Sequence, residues 1–193
     1  MFDAIQAWDF GAIEWIYGIR TEPLAGFFSI ITHLADKGLF WILLALILLI
    51  PKKTRKAGLT MGIAMAIGIV IGNGILKNAV ARMRPYDYYD LIYGTKNYID
   101  TIVAKPDDFS FPSGHSQASF AAALALFFNH KKAGIAAIVL AILIALSRFY
   151  LCIHFPTDII CGSIMGILWA IIANKLVTMY YDRRDANSGK IRF

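Results

Sequence analysis

The stretch AGLTMGIAMAIGIVIGNGILKNAV, residues 57–80, carries one charged side chain, Lys77. An uninterrupted apolar run of this kind meets the roughly 20 residues that a helix needs to cross a bilayer core. Lys52, Lys53, Arg55 and Lys56 stand directly before it. A basic flank followed by an apolar run reads as a membrane helix that starts on the cytoplasmic side. Other apolar runs lie at 38–50, 118–128, 133–146 and 159–177. Together they bring the chain to 58% hydrophobic residues and a mean hydropathy of +0.59. Soluble domains stay near 45–50%, so residues 1–193 read as a single membrane domain.

The net charge of +6 does not point to nucleic acid, because the cations sit in short flanks between apolar runs. Lys131 and Lys132 separate two runs, and Arg183, Arg184, Lys190 and Arg192 follow the last. Such flanks mark the cytoplasmic side and suit anionic headgroups. Segment 86–111 holds five aspartates but only Lys96 and Lys105, and reads as an outside loop. Crossings are thus expected at 38–51, 57–83, 113–129, 133–151 and 157–181. The fold class is all-α: a polytopic membrane bundle of five to six transmembrane helices with an amphipathic N-terminal helix. That first helix, residues 2–18, sets Ile5, Trp8, Ile13, Trp15 and Ile16 among Gln6, Asp9 and Glu14, a pattern for an interface or a partial entry. Asp3 rather than a basic stretch opens the chain, so no cleaved signal peptide is expected. Thr21-Glu22-Pro23 reads as a helix start and Asp36-Lys37-Gly38 as a turn. Gly58/Gly62, Gly68/Gly72 and Gly162/Gly166 are small pairs that allow close helix packing within the chain. Cys152 and Cys161 form no CxxC and read as packing residues.

Polar groups at the ends of membrane helices are costly and mark functional sites. They gather in three places that this topology puts on one side. Lys77 and Arg84 lie two helical turns apart, on one face if the helix runs to residue 83. Two such cations suit a phosphate, although Lys77 alone could be a snorkelling anchor. Arg82 falls off that face. Pro112-Ser113-Gly114-His115 opens the next helix, where free N–H groups attract an anion; an ordinary helix cap is the plainer reading. In Ser147-Arg148…His154…Asp158, a carboxylate can accept the imidazole Nδ1 proton and leave Nε2 free to attack. His33 and Asp36 read as turn and cap residues, with a place on the outer side near the site as the alternative, and Tyr86, Tyr88, Tyr89, Tyr93 and Tyr98 as an interfacial aromatic belt or, in the sharper reading, the lining of a lipid entrance.

These segments resemble the three motifs of the type 2 phosphatidic acid phosphatase superfamily, which also contains vanadium haloperoxidases. The motifs are Lys, six residues, Arg-Pro (Lys77 to Arg84-Pro85); Pro-Ser-Gly-His (Pro112 to His115); and Ser-Arg, five residues, His, three residues, Asp (Ser147-Arg148, His154, Asp158). The match covers 77–158; the N-terminal region is similar in hydropathy alone. The resemblance implies that His154 attacks phosphorus to form phosphohistidine and that Asp158 orients it. It implies that His115 protonates the leaving oxygen and then activates water. Lys77, Arg84, Ser113, Gly114 and Arg148 would hold the phosphate. No carboxylate cluster suggests a metal, so neither metal nor cofactor is expected. The expected partner is a lipid phosphate, with undecaprenyl pyrophosphate favoured because the site faces outward from a multi-pass cell-membrane protein. Phosphatidylglycerophosphate and phosphatidate remain alternatives. So does a protein of another class that binds lipid phosphates without turnover; intact His115, His154 and Asp158 speak against it.

Overall fold

A computed structural model describes residues 2–96 and 98–187, with side chains from Ala4 onward. Lys190, Arg192 and the side chain of Asp3 lie outside the described residues. All regular structure among these residues is helical: α1 (Phe2–Gly18), α2 (Glu22–His33), α3 (Leu39–Leu49), α4 (Arg55–Ile67), α5 (Lys77–Val80), α6 (Pro85–Tyr93), α7 (Gly114–Asn129), α8 (Lys131–Tyr150) and α9 (Pro156–Asn187). A 3-10 turn, Asp36–Gly38, joins α2 to α3, and a π-helical segment, Gly68–Leu76, joins α4 to α5.

Four segments are long and apolar enough to cross a membrane: Glu22–Leu49, Arg55–Tyr93, Lys131–Tyr150 and Pro156–Asn187. Their outward side chains, such as Leu43, Ile47, Val70, Val139 and Ile171, are about half exposed, as a lipid-facing surface requires. The central helix is α7, packed on α9, α8 and α4. At 16 residues it is about 24 Å long, short for a lipid-facing helix. It contributes none of the exposed large apolar side chains among the described residues, because other helices surround it. Ala121, Ala122, Ala123 and Ala125 are fully buried and let neighbours approach. Gly162 and Gly166 of α9 come so near that an added Cβ would lie 2.6 Å from Ser113 O and 2.3 Å from Gln117 O. These two small residues therefore serve packing inside the chain. Gly62 has nothing within 4 Å and does not share that role.

The N-terminal helices gather at one end of the bundle. Both ends of α2 are tied to the end of α8: Thr21 N–H donates to Tyr150 Oη (2.8 Å) and Arg148 donates to Thr32 Oγ1 (2.7 Å). In α1, Asp9, Ile13 and Ile16 are buried while Ile5, Trp8 and Trp15 face out, so the buried face carries a carboxylate and the outer face aromatic rings. At the other end of the bundle, Arg55 Nε donates to Leu49 O.

Two expectations change. The helix expected at 57–83 ends at Val80, because Ala81 takes a left-handed conformation (φ 48°). Lys77 and Arg84 therefore do not share one helical face. The stretch 86–111 is not all loop: Pro85 opens α6, preceded by an extended Arg84 (φ −77°, ψ 157°), as the residue before proline requires. On α6, Tyr86 and Tyr89 are buried. Tyr86 Oη donates to Pro106 O (2.9 Å), and Tyr89 stacks on Tyr93 and Tyr98. Two of the five tyrosines of the expected aromatic belt, Tyr86 and Tyr89, are thus buried, while Tyr93 and Tyr98 stay exposed.

Candidate active site

Three short loops close this end of the bundle. The turn at Ala81 aims Arg82 and Arg84 inward, segment 106–112 crosses above α7, and residues 151–155 link α8 to α9. They place Lys77, Arg84, His115, Arg148 and His154 around one cavity of about 260 Å³. All of these side chains come from the three sequence segments singled out above.

His154 is 1% exposed. Its Nε2 lies 3.2 Å from Arg84 Nη1. On the other edge, Nδ1 is 3.4 Å from Ser110 Oγ and 3.7 Å from Asp158 Oδ2. Ser110 donates to Asp158 Oδ2 at 2.5 Å. The carboxylate thus acts on the imidazole through Ser110 rather than by the direct bond expected from sequence. With the Ser110 proton given to Asp158, its oxygen accepts from Nδ1–H, and this network assigns the tautomer whose Nε2 is unprotonated and accepts from Arg84 Nη1. Burial, reinforced by the charges of Arg84, Arg148 and Lys77, holds the His154 pKa well below the ordinary imidazole value. That shift favours the neutral ring that a nucleophile needs.

Arg84 is the most connected cation. Its Nε donates to Asp108 O (2.7 Å), Nη1 to Ile153 O (3.0 Å) and Nη2 to the Asp108 carboxylate. Lys77 Nζ donates to the other Asp108 oxygen at 2.5 Å. Burial alone would raise the Asp108 carboxyl, but the hydrogen bonds and charges of Lys77 and Arg84 outweigh it and bring its pKa to about 2. Asp108 therefore occupies the two cations as a phosphate would, and its side chain is 55% exposed. An entering phosphate must displace it. Asp108→Asn is expected to tighten competitive inhibition by inorganic phosphate about 1.5- to 5-fold, the scale of an exposed ion pair. An unchanged or weaker inhibition constant would contradict this.

Arg148 is 4% exposed, and its buried Nε has no hydrogen-bond partner. Its guanidinium has capacity left for an anion. Ser113 stands at the start of α7. Its Oγ caps α7 and accepts from Ser116 N–H (3.5 Å) and Ser116 Oγ (3.0 Å), so Gly114 and His115 form the wall in its place. Gly114 lies against Asn73 of the π-helical segment, where an added Cβ would be 3.1 Å from Oδ1. Asp36 does more than turn the chain. Its Oδ1 is 3.2 Å from His115 Nε2, while Oδ2 holds His33 Nδ1 at 2.8 Å. Asp36 thus orients the second histidine. Ser110 and Asn73 were missed because each lies outside the motif spacings, whereas Asp36 takes the second of its two readings, beside the site. Ser110 sits two residues ahead of Pro112, close enough to be suspected.

The cavity continues away from the cations between α4 and α7, lined by Ala64, Met65, Ile69, Ala118 and Ala121. One end is cationic and nucleophilic, and the other is apolar. No group of three or more metal-ligating side chains occurs among the described residues.

Residues 54–182 match the family model of the PAP2 superfamily. The chain is 35% identical over 127 residues to the undecaprenyl-diphosphatase of Sulfolobus acidocaldarius, covering 65% of this chain and 58% of that protein. The match thus spans little more than half of that relative. It is 31% identical over 142 residues to the decaprenylphosphoryl-5-phosphoribose phosphatase of Mycobacterium tuberculosis, covering 70% of this chain and 71% of that protein. Among solved structures, the transmembrane PAP2-type phosphatidylglycerolphosphate phosphatase of Bacillus subtilis superposes with a TM-score of 0.70 at 27% identity, covering 93% of this chain and 87% of that one.

Proposed function

Since the chain belongs to the PAP2 superfamily, we propose that it is a membrane phosphatase that hydrolyses a polyprenyl diphosphate of the undecaprenyl type through a phosphohistidine on His154. The observation that carries this reading is the buried His154 with its Nε2 set 3.2 Å from the Arg84 guanidinium. Nε2 attacks phosphorus in line. The bond from phosphorus to the bridging oxygen breaks, and His115 gives that oxygen a proton. His115, then neutral, takes a proton from water as the water attacks the phosphoenzyme. Phosphate leaves and Nε2 is restored. Lys77, Arg84, Arg148 and the Gly114 end of α7 hold the phosphoryl oxygens. Phosphoryl transfer asks mainly for such positioning and charge stabilisation. Binding without turnover would need the cations but neither histidine.

Substrate preference follows from the cavity and the relatives. The apolar wall beyond the cations suits the first units of a lipid chain. The relative from Sulfolobus acidocaldarius is an undecaprenyl-diphosphatase. The Bacillus subtilis structure supports phosphatidylglycerophosphate as the second reading, because it covers nearly the whole chain. The active site is proposed to be extracytoplasmic. The basic groups Lys52–Lys56, Lys131–Lys132 and Arg183–Arg184 all lie at the helix ends opposite the cavity, and positive flanks stay inside.

Phosphate release by the purified protein in detergent tests these points. Undecaprenyl diphosphate is expected to be hydrolysed faster than phosphatidylglycerophosphate or phosphatidate. Excess EDTA is expected to leave the rate unchanged, since cations of the chain itself receive the phosphate. A rate lost to EDTA and restored by Mg²⁺ would overturn the mechanism. Faster release from phosphatidylglycerophosphate would replace the substrate.

A further inference from the structure

Asp9 of α1 is fully buried, and nothing in the mechanism above uses it. Its Oδ1 accepts from Thr157 N–H at 3.1 Å. Its Oδ2 accepts from Thr157 Oγ1 and from Arg82 Nη2 at 2.6 Å. The same guanidinium donates through Nη1 to Asp158 Oδ1 at 2.6 Å and to Thr157 Oγ1 at 2.7 Å. It also stacks 4.2 Å above the Phe155 ring. Asp158 Oδ2 is left to accept from Ser110 Oγ and Phe155 N–H on the side that faces His154.

We infer that Asp9 and Arg82 are positioning residues for the phosphoryl-transfer step, and that α1 is thereby part of the catalytic apparatus. The argument is one of charge. Arg82 pairs directly with Asp158 and cancels its charge, so the pair alone would give His154 little electrostatic support. Asp9 adds a second carboxylate on the far side of the guanidinium and returns the cluster to a net negative charge. When Nε2 bonds to phosphorus while Nδ1 keeps its proton, the imidazole ring becomes cationic. A net negative cluster behind Ser110 stabilises that ring in a site where cations otherwise prevail. The bridging fork also fixes the carboxylate plane, which a single contact would leave free to rotate.

The inference rests on the covalent reading and is tested beside it. The full-length protein in detergent is assayed with whichever of undecaprenyl diphosphate, phosphatidylglycerophosphate or phosphatidate it hydrolyses fastest. Asp9→Asn keeps the shape and the acceptor for Thr157 N–H but removes the charge. It is expected to lower kcat about 10- to 100-fold, the scale seen when a carboxylate behind a ligating histidine is removed. KM and inhibition by vanadate should stay within about twofold, since no phosphate-holding group is touched. Because Asp9 acts through Asp158, the double variant Asp9→Asn/Asp158→Asn should be no slower than Asp158→Asn alone. Should Asp9→Asn fail to fold, Arg82→Lys keeps the positive charge but cannot bridge both carboxylates, and the same loss in kcat alone is expected. Unchanged kcat, losses that multiply in the double variant, or a raised KM at constant kcat would each overturn the inference. Turnover by His154→Ala in the same assay would instead show that the covalent reading had failed.

Discussion

Replacing His154 with alanine is expected to abolish turnover while leaving the affinity for vanadate within a few-fold of the native protein. Loss of a nucleophile that acts in concert with its base costs on the order of 10⁶ in kcat in a well-studied hydrolase, and a loss near that scale should leave no measurable rate here. Anion binding should persist, because Lys77, Arg148 and the end of α7 remain, and Arg84 keeps its bonds to Ile153 O and Asp108. His115→Ala is expected to behave differently. The polyprenyl phosphate that leaves a diphosphate is a good leaving group and departs with less protonation, so the phosphoenzyme forms and then waits for a base. Rapid quenching with radiolabelled substrate should show an acid-labile, base-stable label that accumulates in His115→Ala and is absent from His154→Ala. Label on another residue, or appreciable turnover by His154→Ala, would remove the mechanism and leave the fold untouched.

The segments that meet in the cavity could be read from the chain because motif spacing survives whatever the backbone does between them. Lys77 and Arg84 were expected to meet by sharing a helix. They meet instead because Ala81 breaks the helix in a left-handed turn, a conformation that no residue type at that position announces. The same turn brings in Arg82, which a continuous helix would point away. Contacts between distant parts of the chain were equally illegible. Asp9 and Asp158 stand at opposite ends of the sequence, and only packing of α1 across the start of α9 brings them to one guanidinium. Asp36 looked like a turn residue and is one, yet its second oxygen reaches His115. The apolar runs were legible in kind but not in limits. Hydropathy does not distinguish α3, with its lipid-facing flank, from the short stretch of α2 tied to the end of α8. The helix α6 was hidden because its tyrosines and aspartates read as a polar loop, although Pro85 at its first position is a helix-start signal.

Arg84→Lys is expected to cost far more than a charge-preserving change usually does, though less than loss of His154. Arg84 is 3% exposed, and its fork joins the backbone of segment 106–110, the carbonyl of Ile153 and the nucleophile itself. A lysine ammonium is a point donor on a flexible stem and cannot reach these walls together. The carbonyl of Ile153 would lose a charge-assisted donor, and the loop that carries His154 would lose its fixed distance from the phosphate. Removal of one donor aimed at developing charge costs about 10²–10³ in rate, and a loss of kcat/KM on that scale is expected. The pattern separates this variant from His154→Ala: vanadate inhibition should weaken together with the rate, because Arg84 contacts the anion in both the ground and the transition state. Lys77→Arg supplies the comparison. Lys77 bonds to Asp108 and has no fork geometry to lose, so it should fall less than tenfold, a smaller effect than a lost oxyanion donor. Should Arg84→Lys keep kcat/KM within threefold while Lys77→Arg loses more, the fork would not be what holds the phosphate against Nε2, and Lys77 would take its place as the principal cation.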